Sequence, residues 1–135
     1  MSDAPAARAV VAGHGSFADG IVSAVGHISG RSGALRAVTN EGCDAAGIEA
    51  AIGRALDELG AHVVFTDLPA GSCTMAARRL ARARGGVTVV VGASAAAVLD
   101  FVMGEAGANA DAVRAAGRGR ESLTVFEATG PARGD

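Results

Sequence analysis

The fold is decided by a short apolar run that ends in a glycine-flanked histidine: residues 8–16 read Arg-Ala-Val-Val-Ala-Gly-His-Gly-Ser. A run of small and β-branched residues that stops at a glycine is typical of a buried parallel strand. Beyond the loop Gly13–Phe17, residues 18–29 place apolar side chains at helical spacing, namely at Ile21, Val22, Val25 and Ile28. The stretch therefore predicts a strand, a loop and a helix in immediate succession.

The same alternation continues to residue 126. It predicts further strands at 34–39, 62–66, 87–91 and 122–126, and further helices at 45–59 (capped by Asp44 and ended by Gly60), 73–84, 94–103 and 109–118. Strands that alternate with helices indicate right-handed crossovers. We therefore predict an α/β fold, a doubly wound and mainly parallel sheet with helices on both faces. One domain spans residues 8–127, with flexible ends at 1–7 and 128–135.

The composition narrows the class of protein. The chain has 135 residues, of which 50% are hydrophobic and 19% charged, enough to bury the core of one domain. A net charge of −2 argues against a nucleic-acid partner. One arginine cluster without aromatics predicts the solvated face of a helix, or else a docking patch for an acidic protein or a phosphate: Arg78, Arg79, Arg82 and Arg84.

Neither a signal peptide nor a long apolar run is found, which predicts a cytoplasmic protein that does not insert into a membrane. The two cysteines, Cys43 and Cys73, are predicted to be reduced thiols.

Polar residues follow the first and third predicted strands. In a parallel sheet ligands bind outside the carboxyl ends of the strands, so His14 and Asp67 are expected to face each other. A carboxylate bonded to one imidazole nitrogen fixes the tautomer and leaves the other nitrogen as a nucleophile. Backbone amides and hydroxyls at helix starts can hold an anion. The candidate site is therefore His14 and Asp67 as catalytic residues, with Gly15, Ser16 and Ser72 binding phosphate.

Other interpretations of these residues are open. His14 could be a polar loop residue, and Asp67 could cap a turn. His27 and His62 are expected to be structural, and no zinc-type ligand spacing is present, so no metal is predicted. Residues 13–18 also satisfy G-x-G-x-x-[GA] after a strand, with Glu41 downstream, which leaves a nucleotide- or dinucleotide-binding module as a rival.

Three segments resemble the EIIA component of mannose-type sugar phosphotransferase systems (PTS). Residues 9–20 resemble the family's phosphorylation segment, a hydrophobic strand followed by (G/S/T)-H-G-x-x-A-x-G. Residues 63–72 resemble its second signature, a strand that ends at Asp and leads to Gly-Gly-Ser/Thr, and residues 87–94 match the position of its G-x-N-x-P-x-L stretch. The resemblance extends over about residues 8–126.

The resemblance implies a phosphocarrier. His14 would accept a phosphoryl group from the phosphocarrier HPr and pass it to an EIIB protein, and Asp67 would orient the imidazole. Gly71 and Ser72 would bind the phosphoryl group, and neither ATP, a metal nor another cofactor would be needed. It also implies a homodimer in which the C-terminal strand, here Ser122–Phe126, is swapped between subunits. A role as the phosphotransfer subunit of a dihydroxyacetone kinase, or as a PTS-linked regulator, is an open alternative.

The chain departs from the family pattern at two places. Pro69 and Ala70 precede Gly71 where paired glycines are usual, which predicts a stiffer loop. Ser94 and Ala96 stand where Asn and Pro are usual.

Overall fold

Within the described residues, 7–128 and 130, four strands form a parallel sheet in a computed structural model: β1 (Ala9–Gly13), β2 (Leu35–Thr39), β3 (Val63–Thr66) and β4 (Thr88–Val91). Their order across the sheet is β2-β1-β3-β4. The helices are α1 (Phe17–Ser29), α2 (Ala45–Leu59), α3 (Ser72–Arg84), α4 (Ala95–Val102) and α5 (Ala108–Ser122), with a short 3₁₀ turn at Ser32–Ala34. The predicted doubly wound α/β fold is confirmed.

Alternate residues of the central strands build two separate cores. Ala9 and Val11 of β1 point to a core shared with α1, α4 and α5, in which Phe65 and Phe101 meet edge to face at a centroid distance of 5.2 Å. Val10 and Ala12 point to the opposite core, which is shared with α2 and α3. Because β1 is buried on both faces, its sequence is an unbroken apolar run, as expected for a central parallel strand.

The ends of α2 follow the predicted chemistry. The Asp44 carboxylate accepts a hydrogen bond of 2.7 Å from the amide of Gly47, which satisfies one of the unpaired donors at the helix start. Gly60 ends the helix with φ of 67°, a left-handed conformation that a side chain disfavours. Both predictions are confirmed, and the helix is held at its two ends by residues visible in the sequence.

The C-terminal prediction needs a correction. α5 runs four residues past the predicted end at 118, so Ser122 is helical, and residues 123–126 form no strand within the described chain. Leu123, Val125 and Phe126 are 88%, 87% and 92% exposed. A strand exists only where a neighbour supplies hydrogen bonds, and residues 123–126 pair with no strand within the described chain. Exchange of the segment between subunits stays a prediction.

Some boundaries lie outside what the structure describes. The predicted flexible ends, 1–7 and 128–135, fall outside the described residues except for Ala7, Ala128 and Gly130. Over the described part of the chain, every helix is too short or too polar to traverse a bilayer.

Candidate functional site

The site lies at the point in the sheet where two neighbouring strands connect to helices on opposite faces. β1 leads into α1 on one face, whereas its neighbour β3 leads into α3 on the other, so the two connections diverge and leave a crevice at the carboxyl ends of the strands. The register pairs Ala12 with Thr66, which sets His14 and Asp67 across from each other just beyond the strands. The two residues predicted to meet do meet.

One carboxylate oxygen holds both the ring and the backbone of His14. Asp67 Oδ2 lies 2.8 Å from His14 Nδ1 and accepts a second hydrogen bond, also 2.8 Å, from the His14 amide. The Asp67 side chain is only 7% exposed, whereas that of His14 is 45% exposed. With Nδ1 turned to the carboxylate, Nε2 is the ring nitrogen that makes no hydrogen bond to the described residues. This arrangement gives the Nδ1–H tautomer and a nucleophilic Nε2.

Asp67 stays ionised in this setting. Its partial burial raises the pKa of the carboxyl, but the hydrogen bonds from the His14 amide and ring outweigh burial and hold that pKa below its usual value. The other oxygen, Oδ1, accepts from the Leu68 amide at 2.9 Å. A fixed negative charge therefore faces the imidazole at neutral pH.

A buried hydroxyl in the first turn of α3 fixes the loop that carries Asp67. Thr74 donates to the carbonyl of Leu68 and shares a second hydrogen bond of 2.6 Å with the hydroxyl of Thr66. Both threonines are fully buried. Since the two hydroxyls satisfy each other, the chain keeps polar atoms in the core at the place where the loop must be rigid.

Glycines at two positions make room for aromatic rings at the site, the imidazole of His14 and the ring of Phe17. A Cβ at Gly71 would lie 2.8 Å from His14 Cε1, and a Cβ at Gly13 would lie 2.6 Å from a ring carbon of Phe17. Gly71 was predicted to bind phosphate, and the structure adds a steric reason for glycine there. The start of α3 therefore lies against the Cε1 edge of the imidazole.

The other candidate residues surround the ring unequally. Ser16 and Ser72 are exposed at the starts of α1 and α3, and Ser16 makes no capping hydrogen bond with its side chain in the described structure. The Gly15 amide, in contrast, already donates to Asn40 Oδ1 at 3.3 Å. Gly71 is similar in this respect, since its amide donates to the Leu68 carbonyl at 3.5 Å.

Sequence reasoning missed three residues: Thr39, Asn40 and Thr74. Residues 40–42 were assigned only to turn chemistry, although Thr39 and Asn40 both bind Gly15. The available signal was their position, since two hydrogen-bonding side chains follow a strand next to β1 at the edge where ligands bind.

The remaining polar groups lie apart from this site or serve packing. His27 is exposed in the last turn of α1, and His62 is exposed before β3. In the predicted arginine face, Arg79 and Arg84 form ion pairs with Glu49 and Asp57 of α2.

The cysteines are both free thiols. Burial, together with the nearby Asp67 and Cys43, raises the pKa of the Cys73 thiol to about 11, so it is a neutral core side chain at pH 7. Among the described residues, no cluster of three or more His, Cys, Asp or Glu side chains could hold a metal ion.

Comparison with known proteins identifies the family of this chain. The sequence model of the family described as PTS system fructose IIA component, EIIA-man, matches residues 8–117. The chain belongs to the EIIA-man family. No curated protein is similar enough to this EIIA chain to match it.

Solved structures share the fold of the EIIA chain. The mannose/sorbose-specific IIA subunit from Enterococcus faecalis superposes with a TM-score of 0.78 at 18% identity, over 95% of this chain and 100% of that one. An EIIA component from Streptococcus agalactiae gives 0.76 at 20% identity, covering 88% and 96%. The PTS IIA protein associated with the fucose utilization operon from Streptococcus pneumoniae gives 0.76 at 21% identity, covering 89% and 93%.

Proposed function

We propose that this EIIA chain is a phosphocarrier of a mannose-type PTS, which accepts a phosphoryl group from phosphorylated HPr on His14 Nε2 and passes it to an EIIB protein. The observation that carries the proposal is the bond between His14 Nδ1 and Asp67 Oδ2, 2.8 Å long, on a ring whose other side is open. Membership of the PTS IIA family supports the relay role.

The transfer is a direct displacement between two imidazoles. The Nε2 lone pair of His14 forms a bond to phosphorus while the donor's N–P bond breaks, and its electron pair remains on the donor nitrogen. A donor ring protonated on its other nitrogen leaves as neutral imidazole, and the positive charge moves to the His14 ring. Asp67 offsets that charge through the Nδ1 proton. The protein contributes positioning and fixed charge rather than a covalent step of its own beyond His14.

Groups at two helix starts would steady the phosphoryl oxygens. The hydroxyls of Ser16 and Ser72 are exposed at the starts of α1 and α3. The amides in the first turn of each helix have no partner inside their helices, although that of Phe17 donates to the His14 carbonyl at 3.1 Å. Positive ends of helix dipoles favour the dianionic group. Gly71 serves by leaving space beside Cε1, and Gly15 by shaping the loop.

The proposed carrier is a homodimer. β4 is an edge strand of the sheet, and cavities of about 360 and 300 Å³ lie beside it, lined by residues of β4 and α5. We propose that residues 123–126 of one protomer cover this edge in the other, which would bury the apolar side chains that are exposed in the single chain. A relay of this kind operates in the cytoplasm, where its partner proteins are.

Mass-spectrometric mapping tests the proposal. The protein is incubated with enzyme I, HPr and phosphoenolpyruvate, and the phosphorylated residue is located. We expect one phosphoryl group on His14, and none on the His14→Ala variant. His27→Ala and His62→Ala, exposed histidines away from the site, are matched controls that should keep full labelling. Full-stoichiometry labelling of the His14→Ala variant would refute the assignment.

A further inference from the structure

We propose that Thr39 and Asn40, at the carboxyl end of β2, are positioning residues for phosphoryl transfer that hold the backbone of Gly15, the residue that follows His14. The inference rests on the proposed function, since it assigns a role in the reaction of the same ring. Asp67 fixes His14 from the β3 side, and the Thr39–Asn40 pair would fix it from the β2 side.

Both peptide groups of Gly15 are engaged by this pair. Asn40 Oδ1 accepts from the Gly15 amide at 3.3 Å, and the Thr39 hydroxyl donates to the Gly15 carbonyl at 3.0 Å. The amide belongs to the peptide that links His14 to Gly15, and the carbonyl to the peptide that links Gly15 to Ser16. The two side chains therefore fix the orientation of both peptide planes that follow His14.

The Thr39 hydroxyl has a defined direction. Its oxygen also accepts a hydrogen bond of 3.2 Å from the Glu41 amide, so its single proton is left for the Gly15 carbonyl. The strand register pairs Thr39 with Gly13, which places this hydroxyl beside the start of the histidine loop. The backbone of the turn that follows β2 thus sets the direction in which Thr39 donates.

The conformation at Gly15 explains why these two hydrogen bonds matter. Gly15 has φ of 55°, in the left-handed region, and glycine there is free to leave it at little cost. If the two hydrogen bonds were lost, the loop could rotate about Gly15 and carry the ring away from the line of attack. A small misplacement of a reacting atom lowers the rate strongly even when binding is intact.

The pair also decides which amides are free for phosphate. The Gly15 amide is directed to Asn40, so the phosphoryl oxygens would meet the groups at the starts of α1 and α3 instead. The hydrogen bond to Asn40 therefore also keeps the Gly15 amide from binding the transferred phosphoryl group.

Four variants test the role: Thr39→Val, which keeps the shape but loses the hydroxyl; Thr39→Ser, which restores it; Asn40→Ala; and Ser29→Ala. Ser29 is the last residue of α1, and its hydroxyl donates to the Val25 carbonyl and accepts from the Arg31 amide, so it is the matched control. Rates are measured with phosphorylated HPr, separating kcat from KM, and with phosphoramidate, a small phosphoryl donor that needs no docking surface.

We expect Thr39→Val and Asn40→Ala each to lower kcat on the order of 10-fold with KM unchanged, and to slow phosphoramidate labelling of His14 by the same factor. Thr39→Ser should return to within about 2-fold, and Ser29→Ala should match wild type. Wild-type rates in folded Thr39→Val and Asn40→Ala protein would overturn the proposal, as would an equal loss in Ser29→Ala. If Thr39→Val does not fold, Asn40→Ala decides alone.

The two proposals fail differently. If HPr does not label the wild-type protein, the proposed function fails. The positioning role is then judged by phosphoramidate labelling, in which equal rates for wild type and variants would refute it.

Discussion

The loop after β1 and the segment after α5 are both exposed ends of regular elements, yet they differ in where their partners lie. The loop is held by partners inside the chain, with Asp67 on one side and Thr39 and Asn40 on the other. Residues 123–126 carry three large apolar side chains, which are exposed, and form no strand within the described residues. The difference is the basis of the proposed exchange: the loop is held by contacts within one chain, whereas the segment carries apolar surface that the proposal places on a second protomer.

Removal of the unpaired segment should have the largest effect. A chain that ends after Ser122 is expected to be entirely monomeric, because it lacks the residues proposed to cover β4 of the partner. Sedimentation equilibrium measures the change. A chain that ends after Ala128 keeps the segment and is the matched control, expected to remain dimeric. A monomeric wild-type protein, or a dimer that survives truncation after Ser122, would contradict the swap.

Loss of the carboxylate should have the next largest effect. Asp67→Asn keeps the shape of the side chain but removes the charge that offsets the developing imidazolium, so transfer from phosphorylated HPr is expected to slow on the order of 100-fold. Circular dichroism should show the fold retained. An unchanged rate would remove Asp67 from the mechanism and leave its contact with His14 as packing alone.

A single methyl group at Gly71 should have a smaller effect. The Cβ of Gly71→Ala would lie 2.8 Å from His14 Cε1, so the ring must shift, and transfer is expected to slow about 10-fold. Gly117→Ala in α5, where an added Cβ has no neighbour within 4 Å, is the control. It should transfer at the wild-type rate and unfold at a slightly higher temperature, because alanine favours a helix.

The smallest effect concerns stability against pH. The folded-state pKa of Asp67 lies below its ordinary value of 3.8, so its ionised form stabilises the fold above that value. This contribution is lost as the pH falls through the folded-state pKa. The difference in melting temperature between wild type and Asp67→Asn should therefore be largest near neutral pH and shrink in acid. A difference that grows in acid would mean that the hydrogen bonds favour the protonated carboxyl.

The sequence contained most of the fold and the central pair of the site. Apolar runs that end at Gly13 and Asp67 placed the strands to within a residue or two, and the order of neighbouring strands then brought His14 to Asp67. The predicted strand at 122–126 was wrong in the single chain, because alternation of apolar residues reports what a segment can pair with and not where that neighbour is. Ser122 was absorbed into α5, which continues through Gly117 and Gly119 and has Leu123, not a glycine or proline, at its C-cap.

The two hydrogen bonds that join Gly15 to Thr39 and Asn40 were not predicted either, and the reason is different. Turn residues such as those at 40–42 are recognised by local propensity, which indicates a change of direction but not which neighbouring backbone their side chains bind. The interaction joins residues about 25 positions apart, and only the strand register brings them together. Thr74 escaped notice similarly, since a threonine in a helix gives no sign that its hydroxyl holds the preceding loop.

The shared oxygen of Asp67 has a consequence for the entropy of the reaction. Because Oδ2 binds both the amide and the ring of His14, rotation of the imidazole about its side-chain bonds is already restricted before any partner arrives. Ordering one such side chain costs about 1 kcal/mol, and here that cost falls on folding instead of on the encounter with the donor. A transient collision between two carriers can then be productive without a search for the reactive rotamer.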